Sequence, residues 1–143
     1  MMIMTKKYEI LSKFIKDMSS ETKDIETYIF VRDHISKYKL DIDINSKVIK
    51  EKIIEINTTM KFEDKENSKK KAYFEVVYTT IVKILKDIGE KKELEQIILR
   101  DVQVDISKDL EGILLDLLRN SGYPGFKLEK NLDFVDLYNK RKS

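Results

Sequence analysis

The chain has no cysteine and no tryptophan, one proline, one histidine and four glycines among 143 residues. Without cysteine there is no disulfide, no thiolate nucleophile and none of the common structural zinc sites, a composition that suits a reducing compartment. So little glycine leaves no phosphate-cradling loop of the GxxxxGK[ST] kind. The one histidine, His34, follows Asp33, but no nucleophile stands at a recognisable motif, and a surface histidine accounts for it without a triad. Asp41 and Asp43 share a strand face beside Lys39 and read as the wet side of a sheet, since metal ligands must converge at fixed spacing. No apolar run approaches the roughly 18 residues of a membrane-spanning helix, and the opening Met1 to Lys7 is too short for a secretory signal. The expectation is a soluble cytoplasmic protein that is not an enzyme, with no catalytic residue, no metal, no cofactor and no membrane insertion.

An excess of one charge is also missing. Lysine and arginine total 28 against 26 aspartates and glutamates, for a formal net charge of +2. A duplex-binding domain usually shows a clustered excess of base, so no nucleic-acid partner is expected. Lys69-Lys-Lys71 reads as a solvated turn, given Asp64 and Glu66 nearby. With catalysis, metals and nucleic acid set aside, the chemistry left is binding through apolar surface.

What the chain does have is alternation. Its length predicts one domain over residues 1–143, able to bury about two-thirds of the unfolded surface. The stretch from Ala72 to Leu85 is rich in β-branched and aromatic residues and reads as one long strand, apolar on both faces. Phe74, Val76, Tyr78, Val82 and Ile84 fall on one side, and Tyr73, Val77, Ile81 and Leu85 on the other. Both faces therefore need cover, from the protein's own helices on one side and from a loop or partner on the other. Lys37 to Asn45 alternates strictly, with Tyr38, Leu40, Ile42 and Ile44 inward, and Asn45-Ser46 offers a turn. Lys52 to Glu63 alternates again through Ile54, Ile56, Thr58, Met60 and Phe62. Asp64 to Lys71 reads as a solvated hairpin loop.

Three segments are less regular. Lys7 to Met18 fits either a strand, with Tyr8, Ile10, Phe14 and Met18 in phase, or a helix, and local pattern favours the helix. Ser19 to Lys37 reads as a long connection with an apolar middle, Tyr28-Ile-Phe-Val31. After Gly89 the period changes to that of a helix through Leu94, Ile97, Ile98 and Val102. Asp105 or Ser107 then offers the N-cap of a second helical stretch carrying Ile106, Leu110, Ile113, Leu114, Leu117 and Leu118. Gly122 and Pro124 end it, Phe126 to Glu129 connects, and Asn131 to Arg141 forms a last amphipathic helix. Strands first and helices afterwards predict an α+β fold with an antiparallel sheet.

Four stretches, in this order and spacing, resemble the SecB export chaperone family over nearly the whole chain. They are Lys13-Phe-Ile-Lys-Asp-Met-Ser19 with Glu21 following, Tyr38-Lys-Leu-Asp-Ile-Asp-Ile44, Phe74-Glu-Val-Val-Tyr-Thr-Thr-Ile-Val-Lys-Ile84, and Leu114 to Tyr138 with its Gly-Tyr-Pro crossover. The resemblance implies a four-stranded antiparallel sheet followed by a long helix, a crossover loop and a C-terminal helix, with Lys7 to Met18 as a strand. It implies a homo-oligomer, a dimer of dimers, that holds unfolded or preprotein clients in apolar grooves without ATP. Client-groove residues are expected at Tyr28, Phe30 and Phe126. The family's acidic contact with the tail of the SecA motor falls on Asp17, Glu21 and Glu75, with Tyr73 beside them where the family commonly has an aliphatic residue. A dedicated chaperone for the antitoxin of a toxin–antitoxin system is the alternative, and a non-catalytic interaction module with a filled groove is another. The family's Cys-Pro-Asn…Phe-Pro-Tyr segment is replaced here by Val102 to Asp109, and the chain is not acidic as familiar members are.

Overall fold

The computed structural model describes residues 7–66, 69–87, 89–128 and 132–142. Strand β1 (Tyr8–Glu21) is followed by helix α1 (Ile25–His34) and a 3₁₀ turn (Ile35–Lys37). Then come β2 (Lys39–Lys50), β3 (Ile53–Glu63) and β4 (Tyr73–Ile84). Helix α2 (Lys91–Gln96) runs through a π turn (Ile97–Asp101) into α3 (Val102–Asn120), and α4 (Phe134–Lys142) closes the chain. The strands form one antiparallel sheet in the order β1-β4-β3-β2. This is the α+β architecture expected, with helices packed on one face of the sheet.

β1 is a strand despite its helical look, and the register explains the look. Leu11 and Lys16 have no partner on β4, because the register slips between Ile10 and Ser12 and again between Ile15 and Asp17. Each bulge reverses which side later residues face. Tyr8 and Ile10 face the helices, then Lys13 and Ile15 do, then Met18 and Ser20. Phe14, read from the sequence as in phase with Ile10, lies on the opposite face across from Thr79. A strand with two bulges over so short a span scatters its apolar residues at spacings that mimic a helix.

Three other readings are corrected. Asn45 and Ser46 do not turn; β2 continues to Lys50, and the reversal is at Glu51-Lys52, where Lys52 takes φ 63°. Neither residue there is Gly or Asn, so the usual signal for a left-handed turn position was absent. The connection from Ser19 to Lys37 holds α1, begun by Asp24, whose carboxylate accepts from the Thr27 amide at 2.8 Å. Nor does a second helical stretch begin at Asp105 or Ser107. α2, the π turn and α3 run on without a break, and Ser107 donates instead to the Val104 carbonyl at 2.9 Å.

The helix crosses the sheet over a buried polar contact. Thr58 of β3 donates to Gln103 Oε1 at 3.0 Å, and Gln103 Nε2 donates to the Ile98 carbonyl inside the π turn at 3.4 Å. One fully buried glutamine thereby serves both a sheet hydroxyl and a carbonyl of the widened turn, a pairing that burial makes necessary. This lies at the start of Val102 to Asp109, where the chain departs from the family pattern and, with no proline, stays helical. Around it Ile106, Leu110, Leu114 and Leu118 pack against Met60, Phe74 and Val76. α3 ends as expected: Gly122 takes φ 103°, and the Tyr123 amide reaches back to the Leu118 carbonyl at 2.9 Å. A Cβ at Gly122 would lie 2.7 Å from Tyr28 Cε1. The last helix begins at Phe134, with Asp133 capping the Asp136 amide at 3.0 Å. The predicted start at Asn131, the end of the connector at Glu129 and the centre of the Asp64 to Lys71 loop lie outside the described residues.

Candidate functional site

β2 is an edge strand, paired on one side only. α3 lies over β3 and β4, so the helix-facing residues of β2 are left half-buried where those of β3 are buried. Beside them, between β2 and the segment from Gly125 through α4, runs an open groove of about 820 Å³. Tyr38, Leu40, Ile42, Ile44 and Phe62 form its floor. Phe126, Leu128, Leu132, Phe134, Leu137 and Tyr138 form its wall. The Tyr38 hydroxyl accepts the Ala72 amide at 3.0 Å, and the Phe62 ring stands 5.0 Å from that of Phe126. Ring contacts of this kind hold the apolar surface in place. Lys39, Asp41, Asp133, Asp136, Lys140 and Arg141 line the rim in mixed sign, so no single charge is selected. Apolar floor, polar rim and a free strand edge can accept an extended polypeptide, by backbone pairing and alternate side-chain contacts.

Of the three groove residues expected from the sequence, Phe126 lines this groove. Tyr28 does not: its hydroxyl donates to the Gly122 carbonyl at 2.8 Å and its ring packs 5.3 Å from Tyr123, so it props the crossover turn. Phe30 does not either; it is half-buried on α1 and its ring stacks on that of His34 at 4.0 Å. The larger contributors, Leu40, Ile42 and Ile44, read from the sequence as ordinary inward residues. The chemical signal was present in the alternation, but the signal that β2 sits at an edge was not.

The other face of the sheet carries the charges. Register places Glu21 opposite Tyr73, Ser19 opposite Glu75, and Asp17 opposite Val77, so Asp17, Glu21, Tyr73 and Glu75 share one patch. Glu75 faces Lys61 at 3.8 Å, while Lys65 pairs with Asp41 and with Glu63, the latter at 3.3 Å. The Tyr73 phenol is pushed above its ordinary value, chiefly by burial, then by Glu75 and by the negative charge of Glu63 and Asp17. Beside Glu75 is a shallow depression of about 420 Å³ lined also by Asp41, Asp43, Thr59, Lys61 and Val77. Among the strand residues at this end of the face, Asp17, Glu21, Asp41, Asp43, Glu63 and Glu75 outnumber Lys39 and Lys61. A nearly neutral chain thus sorts its charge in space, which composition alone could not reveal. Among the described residues no cluster of acidic or histidine side chains could hold a metal ion.

Comparisons with known proteins agree with this architecture. Residues 4–143 match the family model described as Preprotein translocase subunit SecB. A protein of Pelagibacter ubique (strain HTCC1062) named for SecB and protein export is 59% identical over 138 residues, covering 96% of this chain and 99% of that one. The protein-export protein SecB of Rhodospirillum centenum (strain ATCC 51521 / SW) is 23% identical over 130 residues, 91% of this chain and 76% of its own. Among solved structures, the Mycobacterium tuberculosis Rv1957 SecB-like chaperone, in complex with a ChAD peptide from the Rv1956 HigA1 antitoxin, superposes with a TM-score of 0.57. That match covers 88% of this chain and 91% of the other at 10% identity, which shows a shared fold.

Proposed function

The chain belongs to the SecB family, a family of non-enzymatic chaperones of protein export, and from that premise we propose that it is an ATP-independent holdase for unfolded clients. The observation that carries this reading is the groove beside β2: apolar, open and bordered by an unpaired strand edge. Clients are held there by many weak contacts engaged together, each easily released. The test is aggregation of a chemically unfolded substrate, followed by light scattering with no nucleotide present. Suppression at stoichiometric chaperone is expected, and undiminished aggregation overturns the reading. A groove blocked in the assembled protein, which would make it only an interaction module, predicts no binding of a hydrophobic dye to the native oligomer.

Assembly as a dimer of dimers is part of the proposal. β1 is the other edge of the sheet and exposes Leu11, Phe14, Ile15 and Met18, more apolar surface than an isolated edge strand keeps in water. Delivery to the SecA motor is the finer proposal, supported by the acidic excess around Asp17, Glu21, Tyr73 and Glu75. A peptide copying the zinc-carrying tail of SecA should bind, and Glu75→Lys or Asp17→Lys should weaken it. The complex formed by the Mycobacterium tuberculosis relative favours a second reading, a chaperone dedicated to one antitoxin. There the two charge reversals are harmless and a single small partner co-purifies. We favour export, because the 59% identical relative is named for it.

A further inference from the structure

We infer that the end of the sheet formed by the β2–β3 hairpin is a docking surface for an anionic lipid bilayer. From Asn45 to Lys52 every residue is exposed. The hairpin carries two adjacent aliphatics at its tip, Val48 at 66% and Ile49 at 48% exposure. Ile49 falls where the register slips between Val48 and Lys50, so it has no partner across the ladder. β4 leaves the sheet beside this tip, the Ile84 amide donating to the Lys52 carbonyl at 2.7 Å, and Leu85 follows at 44% exposure.

Lysines surround these aliphatics. Lys47 and Lys50 flank them on β2, Lys83 lies two strands away in the same row as Lys50, and Lys52 and Lys86 stand at the turns. Two acids at this end are already paired, one of them with a lysine of the cluster. Asp87 pairs with Lys52 at 3.1 Å, and Glu55, opposite Lys47, meets Lys16 at 3.6 Å and accepts from Asn57 at 2.8 Å. Glu51 in the turn and Glu9 opposite Lys83 are left against Lys47, Lys50, Lys83 and Lys86. The opposite end of the same face holds the acidic excess, so the sheet is electrically polar along its strands.

Aliphatics at a lysine-rich tip match one kind of partner. A bilayer takes the apolar side chains at the headgroup–acyl boundary and the lysines at its anionic headgroups. A nucleic acid would engage the lysines and leave Val48 and Ile49 in water. A second copy meeting this surface symmetrically would set Lys47 and Lys50 against themselves. The attachment is peripheral and weak, since no helix among the described residues is long and apolar enough to cross a membrane. It leaves the groove and the acidic patch, both nearer the Tyr38 end of β2, free to act at the same time.

The experiment is sedimentation of the full chain with vesicles of phosphatidylcholine alone and of phosphatidylcholine and phosphatidylglycerol in equal parts. Binding should require phosphatidylglycerol and fall with salt. Lys47→Glu with Lys50→Glu should lower it about ten-fold or more. Val48→Ser with Ile49→Ser should lower it about ten-fold with an unchanged melting temperature, since both side chains are already in water. Equal binding to both vesicle types overturns the inference, and so does unaltered binding by the Val48/Ile49 variant. A change in oligomer mass with the same variant and unchanged vesicle binding assigns the tip to a second copy. Duplex binding lost in the lysine variant, with no vesicle binding by the wild type, assigns it to nucleic acid.

Discussion

β2 and β3 lie side by side and carry nearly the same pattern, apolar and polar residues in strict alternation. Their fates differ. On β3, Ile54, Ile56, Thr58, Met60 and Phe62 are all buried, because another strand flanks each side and the long helix covers them. On β2, Leu40, Ile42 and Ile44 stay half-buried, because the strand has one neighbour and only the wall of the groove above it. The same side-chain chemistry makes a core in one strand and the floor of an open groove in the next. What separates them is position in the sheet, which no local window of sequence encodes.

That contrast can be broken at β3 first. Ile56→Ala removes a fully buried side chain from the middle of the sheet, and should cost about 3 to 4 kcal/mol in denaturant unfolding, with client holding per folded molecule unchanged. A loss below about 1 kcal/mol would mean the two strands are equally open. Gly122→Ala probes the crossover that sets the groove wall in place. It combines a left-handed backbone with a Cβ 2.7 Å from Tyr28, so a loss of about 2 kcal/mol in thermal or chemical unfolding is expected. Ile42→Ala on β2 should cost only about 1 kcal/mol, yet should markedly weaken suppression of aggregation. Wild-type protection by that variant would remove the groove from the holdase reading.

The smallest effect is one of pH. The Asp24 carboxyl is held below its ordinary value by hydrogen bonds from Thr27, with the nearby lysines Lys23 and Lys70 helping and desolvation opposing. A depressed folded value means its contribution is complete above the ordinary carboxylate range of about 4 and is lost as the pH falls through the lower folded value. Amide protection factors in α1, taken relative to the intrinsic exchange rate at each pH, should therefore fall in acid before those of the sheet do. Asp24→Asn, which keeps a capping oxygen without the charge, should flatten that dependence.

Legibility followed physics. β3 and β4 could be read because burial on one face imposes a period of two, and α3's end could be read because Gly122 and Pro124 leave the backbone few choices. β1 was misleading locally, since its two bulges shift phase without any glycine to mark them. The turn at Glu51-Lys52 was invisible for the same reason: Lys52 adopts φ 63° with a side chain that gives no warning. At the candidate groove, Phe126, named from the sequence, lies on the wall, and Leu40, Ile42 and Ile44, read from the sequence as core, lie on the floor. Tyr28 drew attention by being aromatic, and it turns out to brace Gly122.

By itself the sequence determined that β3 and β4 extend, that a helical period follows them, where the long helix stops, and that the chain has no cysteine and no phosphate-cradling glycine loop. Those properties are local, set by side-chain period, backbone freedom and the presence or absence of a chemical group. Tertiary structure alone decided that β2 lies at an edge and its apolar residues line a groove. It also gathered acids from β1, β2, β3 and β4 at one end of the sheet, and lysines and bare aliphatics at the other. Each of these depends on strand order and register, which bring residues far apart in sequence to adjacent rows.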